Sequence, residues 1–170
     1  MPINYAVVGL GQFARGQILP AFRECQNSNC VAVVTGNPDR ARQQADQWGY
    51  RFVYDYDHFD DCCRNPEVDA LYIALSNSRH TDFTVRAAQL GKHVLCEKPM
   101  ATSVAEAVRM RDACRNAGVK LMIGYRCHFD PGNREAIRRV RAGEIGQPRQ
   151  VLGEGEHHLH RLLKARLGSG

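Results

Sequence analysis

Residues 4–22 read NYAVVGLGQFARGQILPAF. The run Ala6-Val7-Val8 has the apolar, β-branched character of a buried strand, and the glycines that follow break it. From Gln12 to about Cys25 the pattern is that of a helix. The junction Gly9-Leu10-Gly11-Gln12-Phe13-Ala14 is therefore a G-x-G-x-x-A turn placed directly between a strand and a helix. Gly9 permits a tight turn, Gly11 lets a pyrophosphate approach the backbone, and Ala14 lets helix and strand pack closely. The helix amino end attracts the phosphate charge. A lone match of this kind is weak, but its strand–turn–helix setting points to dinucleotide binding, with Gln12 and Phe13 inside the same cradle.

Working outward, apolar runs alternate with helical patterns along the chain. CVAVVTG (30–36) and DALYIAL (69–75) read as strands, as do HVLCEKP (93–99) and KLMIGYR (120–126). Their near-continuous apolar character fits strands covered on both faces. Asn37 caps a helix with Pro38 at its first position, and a helix from about Thr81 ends at Gly91. Ser103 with Glu106 forms a capping box for a helix closed by Gly118. A further helix spans Pro131 to Ala142, and an extended segment begins at Arg149. This alternation predicts an α/β fold, a doubly wound parallel sheet of Rossmann type, followed by only the start of a second, α+β domain. The expected division is a dinucleotide-binding domain over 1–126, the start of a substrate domain over 127–155, and an aberrant or unstructured tail over 156–170.

Composition sets the class. The 170 residues are 44% hydrophobic and 24% charged, with a net charge of +5. Those values suit a soluble globular chain, and no apolar run approaches the roughly 18 residues of a membrane span. The arginines are dispersed, so the basic stripe of a nucleic-acid binder is missing. The start MPINYAVVGLG enters a strand at once, without a basic leader and apolar stretch, which predicts a cytoplasmic protein. Seven cysteines at 25, 30, 62, 63, 96, 114 and 127 make no C-x-x-C pair. They read as reduced, mostly buried thiols, with Cys62 and Cys63 on a short helix and Cys96 in the core.

Four more groups carry chemistry. At the end of the second strand, Thr35 stands where a sheet that prefers NAD places an acid, and Asn37, Arg40 and Arg42 follow. A hydroxyl with a guanidinium suits a 2′-phosphate, so NADP is favoured over NAD; Arg42 can equally be an exposed helix residue. Ser76-Asn77-Ser78-Arg79-His80 follows a strand end, where Ser76, Asn77 and His80 can hydrogen-bond a cofactor or simply cap a helix. Glu97-Lys98-Pro99 closes another strand. Lys98 there can orient a carbonyl or alcohol oxygen or shuttle a proton, Glu97 can meet a cation or a cofactor group, and Pro99 restricts the backbone. The competing reading of Lys98 is an ordinary surface lysine. Last, His157-His158-Leu159-His160 lacks carboxylate or cysteine neighbours at metal-ligand spacing, so no metal site is assigned.

The segments GLGQFARGQILPAF, VVTGNPDRAR, LYIALSNSRH, GKHVLCEKPMATSVAEA and KLMIGYRCHFDPGNREAIRRVRAGEIGQPR together resemble the glucose–fructose oxidoreductase and inositol dehydrogenase family, most of all its glucose–fructose oxidoreductase branch. The resemblance covers residues 4 to 150, and the Glu-Lys-Pro and Gly-Tyr-Arg stretches are its most specific parts. It implies a two-domain, NADP-using enzyme that oxidises or reduces a sugar or polyol by hydride transfer, usually as a homo-oligomer built through the second domain. It implies that Lys98 is catalytic, contacting the reacting oxygen beside the nicotinamide, and that the Lys98–Pro99 bond is cis. It also places Tyr125 and Arg126 at the nicotinamide end, and Thr35 and Arg40 at the 2′-phosphate.

The same resemblance implies a second domain of about equal length, supplying an acidic residue and a His or Tyr partner, and nothing in 151–170 is similar to it. The chain is therefore expected to stop early. Three functions follow from that expectation: an oxidoreductase, a non-catalytic nucleotide-binding remnant of one, or a module that senses NADP for a partner. The sugar itself is not readable from these residues.

Overall fold

The computed structural model describes residues 1–147 and 149. It divides into a unit over Met1–Tyr125 and a second that begins at Arg126. In the first, six strands form one parallel sheet: β1 (Ile3–Val8), β2 (Ser28–Val34), β3 (Phe52–Tyr54), β4 (Ala70–Ile73), β5 (His93–Cys96) and β6 (Leu121–Ile123). Their spatial order is β3-β2-β1-β4-β5-β6. The order reverses between β1 and β4, the topological switch point of a doubly wound sheet.

Helices cover both faces. Residues Ala14–Ile18 form a π-helical turn that runs into α1 (Leu19–Glu24), with Pro20 at the start of α1. Proline offers no N–H, and the widened turn precedes the point where the regular i to i−4 ladder would require one. The others are α2 (Pro38–Gln43), α3 (Ala45–Trp48), α4 (Phe59–Arg64), α5 (His80–Gln89) and α6 (Val104–Asn116). The expected caps form: Asn37 Oδ1 accepts from Arg40 N at 3.1 Å, and Ser103 Oγ from Glu106 N at 3.2 Å. Glu106 Oε2 reaches back to Thr102 N at 3.0 Å, one residue earlier than a standard box.

The alternation of strand side chains explains why these strands read as unbroken apolar runs. Ala6, Val8, Ala32, Val34, Leu71 and Ile73 pack with Phe59, Phe83, Ala87 and Met110 of α4, α5 and α6. Val7, Val33 and Tyr72 face the other way, against Ala14, Ile18, Leu19 and Ala41. The β1–β2 register slips between Tyr5 and Ala6, leaving Val31 as an extra residue. Val31 consequently packs on the same face as its neighbour Ala32.

Two elements escape the sequence pattern. β3 is three residues at the sheet edge, too short for an alternation to register. Cys62 and Cys63, adjacent on α4, are both fully buried rather than divided between a wet and a dry face. Burial pushes both thiols up to about 12, and does the same to Cys30 and Cys96.

The second unit contains a 3-10 turn over Arg126–His128 and α7 (Pro131–Arg141). Asp130 Oδ1 caps α7 by accepting from Asn133 N at 2.9 Å. Glu135, between Arg138 and Arg139 on that helix, has its carboxyl held down to about 2 by their guanidinium groups. The extended segment predicted beyond Arg149 and the His157–His160 cluster lie outside the described residues.

No helix among the described residues is long and apolar enough to cross a membrane.

Candidate active site at the carboxyl edge of the sheet

The parallel ladder runs one step past each strand and brings the motif residues into one row. Gly9 N donates to Val34 O at 2.8 Å, Thr35 N to Tyr54 O at 2.9 Å, and Ala74 N to Val8 O at 2.8 Å. Glu97 N donates to Ile73 O at 2.9 Å and Gly124 N to Cys96 O at 2.8 Å. The turns carrying Gly9–Gly11, Thr35–Asn37, Ser76–Asn77, Glu97–Lys98 and Gly124–Tyr125 thus share the carboxyl edge, where ligands of such sheets bind.

The two glycines of the first turn are needed for different reasons. Gly9 has φ +96°, and a Cβ there would lie 2.7 Å from Ala74 O and 2.9 Å from Leu75 Cδ2. The close approach of the β1 and β4 ends excludes any side chain. Apart from its chain neighbours, a Cβ on Gly11 would meet nothing within 4 Å among the described residues. Nothing in the fold demands glycine at 11, so the open space above it is room for a ligand. Gln12 is exposed, Phe13 is partly so, and Ala14 is buried against the sheet.

Beyond β2 lies a cleft of about 160 Å3 lined by Leu10, Arg15, Thr35, Asn37, Arg40, Ala41 and Gln44. Pockets for whole small ligands run to about 300–1,000 Å3, so this is a subsite for one group. Its polar groups offer donors. Thr35 Oγ1 accepts from Asn37 N at 3.3 Å, leaving its O–H to donate outward. Asn37 Oδ1 is used by the α2 cap, which leaves its amide N–H groups. Among the described residues no carboxylate lines the cleft. Asp39 is turned to Arg42, 2.8 Å away, so Arg42 is an ordinary exposed helix partner. The cleft's chemistry fits an anionic group. Arg15, which directly follows the G-x-G-x-x-A turn, is the lining residue that sequence reasoning passed over; a cation at that position was the available signal.

After β4, Ser76 and Asn77 open a 3-10 turn and are both exposed. Neither Ser76 nor Arg79 makes a side-chain cap hydrogen bond, so helix capping does not account for these polar residues. Arg79 instead stacks over Tyr56, with its guanidinium carbon 4.2 Å from the ring centre.

Two of the expected cofactor residues are engaged within the protein. His80 is 0% exposed, with Nδ1 2.8 Å from Pro99 O and Nε2 3.1 Å from Leu75 O. Both ring nitrogens lie within hydrogen-bond distance of a main-chain carbonyl, and the imidazole bridges the end of β4 and the turn after β5. Glu97 is 6% exposed; Tyr72 O–H donates to its Oε1 at 2.6 Å and Lys98 N to its Oε2 at 3.2 Å. A Cβ on Gly124 would come within 3.1 Å of Glu97 Oε1, so the glycine makes room for the carboxylate. Through these contacts both residues brace the turn that follows β5.

What they brace is Lys98. The Lys98–Pro99 peptide is cis. The lysine side chain is exposed and makes no hydrogen bond or ion pair among the described residues. Its backbone is held by the Glu97 carboxylate on one side and, through Pro99 O, by His80 on the other. Tyr125 ends the first unit, exposed beside this edge, with its N donating to Ile123 O at 2.7 Å. Arg126 belongs to the second unit and opens its 3-10 turn.

Known proteins share this arrangement. The family model described as an oxidoreductase family with an NAD-binding Rossmann fold matches residues 3–125. The chain is 32% identical over 153 residues to a D-xylose 1-dehydrogenase (NADP+) of Haloarcula marismortui, covering 89% of this chain and 42% of that protein. It is 29% identical over 154 residues to an inositol 2-dehydrogenase of Salmonella typhimurium, covering 90% and 46%. Among solved structures, an aldose-aldose oxidoreductase from Caulobacter crescentus complexed with glycerol is 46% identical, with a TM-score of 0.80 over 84% of this chain and 43% of that one. A 3-ketoreductase from Actinomadura kijaniata in complex with NADP is 29% identical, with a TM-score of 0.76 over 86% and 46%. The chain thus spans less than half the length of these relatives. With its dinucleotide turn, its strand order and its Glu-Lys-Pro edge in place, the chain belongs to the GFO_IDH_MocA oxidoreductase family, through that family's NAD-binding Rossmann fold.

Proposed function

We propose that this chain is the nucleotide-binding part of an NADP-dependent oxidoreductase that acts on a sugar or polyol by hydride transfer. The observation that carries the reading is the cleft beyond β2, whose donor groups and lack of a carboxylate suit a 2′-phosphate. Gly9, Gly11, Gln12, Phe13 and Ala14 would hold the pyrophosphate, Thr35, Asn37 and Arg40 the 2′-phosphate, and Ser76 and Asn77 the ribose edge. When bound, the nicotinamide supplies or accepts the hydride.

Lys98 is the residue of this chain assigned to the chemistry. Its ammonium group donates to the substrate oxygen, orients it, and exchanges the proton that accompanies alcohol–carbonyl interconversion. The held backbone on either side fixes where the lysine leaves the chain, and the bound substrate would have to fix the ammonium itself. The relatives support the substrate class: one is named for xylose and NADP+, another for inositol. Tyr125 stands at the same edge, and Arg126 joins the proposal through the family resemblance.

Fluorescence titration with NADPH and NADH tests cofactor binding, and assays with glucose, xylose and inositol then test turnover. Tighter binding of NADPH supports the reading. Binding without turnover assigns this polypeptide the nucleotide-binding role alone, and no binding of either nucleotide overturns the reading.

A further inference from the structure

We infer that Arg15 is a second cation for the 2′-phosphate, sharing that group with Arg40 and setting the preference for NADP over NAD. This rests on the cofactor reading above and extends it to a residue on another element. Arg15 lies one position past Ala14 in the π-helical turn after β1, and β2, whose end carries Thr35, is the strand paired beside β1. The two arginines therefore come to the same cleft from different elements, and both line it.

Three observations bear on the charge of that cleft. Neither the Arg15 nor the Arg40 guanidinium makes an ion pair or side-chain hydrogen bond among the described residues. Most other arginines of the first unit are engaged: Arg42 with Asp39, Arg51 with Glu67, Arg64 with Asp61 and Arg86 with Asp60. Among the described residues no carboxylate lines the cleft, so two positive charges border it without a neutralising partner among them.

A phosphate monoester carries about −1.5 to −2 charges near neutral pH and three acceptor oxygens. One guanidinium balances about half of that charge. Two guanidinium groups, with the Thr35 hydroxyl and the Asn37 amide, match both the charge and the acceptor count. The ribose of NAD presents neutral hydroxyls instead, to which a pair of guanidinium groups gives no comparable attraction.

The test uses the 170-residue chain and the variants Arg15→Leu and Arg15→Gln. Dissociation constants for NADPH and NADH are measured by fluorescence, and 2′,5′-ADP and AMP serve as competitors. The Arg15 side chain makes no hydrogen bond or ion pair among the described residues, and a urea midpoint equal to wild type checks that each variant folds. Both variants are expected to weaken NADPH and 2′,5′-ADP by about tenfold or more, the scale of a lost charge-assisted hydrogen bond. NADH and AMP should change by less than about twofold, and the salt dependence of NADPH binding should flatten. Equal losses for NADPH and NADH would place Arg15 on the pyrophosphate and overturn the inference, as would no loss for either. If wild type binds NADPH no better than NADH, the NADP reading itself fails. Tighter NADPH binding that survives both substitutions removes only the role of Arg15.

Discussion

The two glycines of the first turn allow a single motif to be separated into its structural and its ligand-binding halves. Gly9→Ala places a methyl at φ +96° and 2.7 Å from a backbone oxygen, Ala74 O. The left-handed backbone costs about 1–3 kcal/mol and the overpacking about 1–3 kcal/mol more. The loss, about 2–6 kcal/mol, is a large share of the 5–15 kcal/mol typical of a domain. Apart from its chain neighbours, Gly11→Ala meets nothing within 4 Å among the described residues, and its backbone lies outside the left-handed region. Stability should hold or rise by about 0.4–1 kcal/mol, because alanine narrows the unfolded ensemble. The same methyl would occupy the space given to the pyrophosphate, weakening NADPH by roughly 5- to 150-fold if it costs about 1–3 kcal/mol there. Urea denaturation followed by circular dichroism reads the first quantity and NADPH fluorescence the second. The reasoning is refuted if Gly11→Ala binds NADPH as wild type does, or if Gly9→Ala leaves the urea midpoint unmoved.

Tyr72→Phe deletes the 2.6 Å hydrogen bond to the buried Glu97 carboxylate and should cost about 1.5–3 kcal/mol in urea denaturation; a change below about 0.5 kcal/mol would show that the carboxylate is satisfied without it. His80→Ala removes the link between Leu75 O and Pro99 O and should cost about 2–5 kcal/mol. Amide exchange should quicken locally at Lys98, Met100 and Ala101, and exchange there that merely follows global stability would rule out the brace. For the thiols, a colorimetric thiol reagent at pH 8 should modify Cys25 and Cys127, the two exposed ones, while Cys30, Cys62, Cys63, Cys96 and Cys114 wait for unfolding. Burial raises the buried thiols, Cys30, Cys62, Cys63 and Cys96 to about 12, so the unfolded state releases its protons first as the pH rises past about 9. Urea midpoints should therefore fall between about pH 9 and 12, and flat midpoints across that range would contradict the assigned burial.

Much of the fold was legible because it depends on local chemistry. The Ala6-Val7-Val8 run, the G-x-G-x-x-A turn and the Asn37 and Ser103 caps are each written within a few residues. Five of the six strands declared themselves by apolar runs, and only β3 was too short to do so. Lys98 and Thr35 stood out as candidate site residues because a strand end followed by a polar residue is a local pattern.

What the sequence could not reveal was the use each polar side chain is put to once the chain has folded. His80 and Glu97 are polar residues at strand ends, and by sequence alone they are indistinguishable from ligands. Only the packing showed that carbonyls from two separate turns lie within hydrogen-bond distance of the two nitrogens of His80, and that Tyr72, 25 residues earlier, donates to Glu97. Arg15 was hidden for the complementary reason: its importance lies in a cleft shared with Thr35 and Arg40, which pairing of β1 with β2 creates. The sequence by itself determined the strand–turn–helix rhythm and hence the sheet class, since propensity, periodicity and capping act over short spans. The tertiary structure alone decided which charges remain unpaired at the carboxyl edge, because pairing depends on distances between residues far apart in the chain.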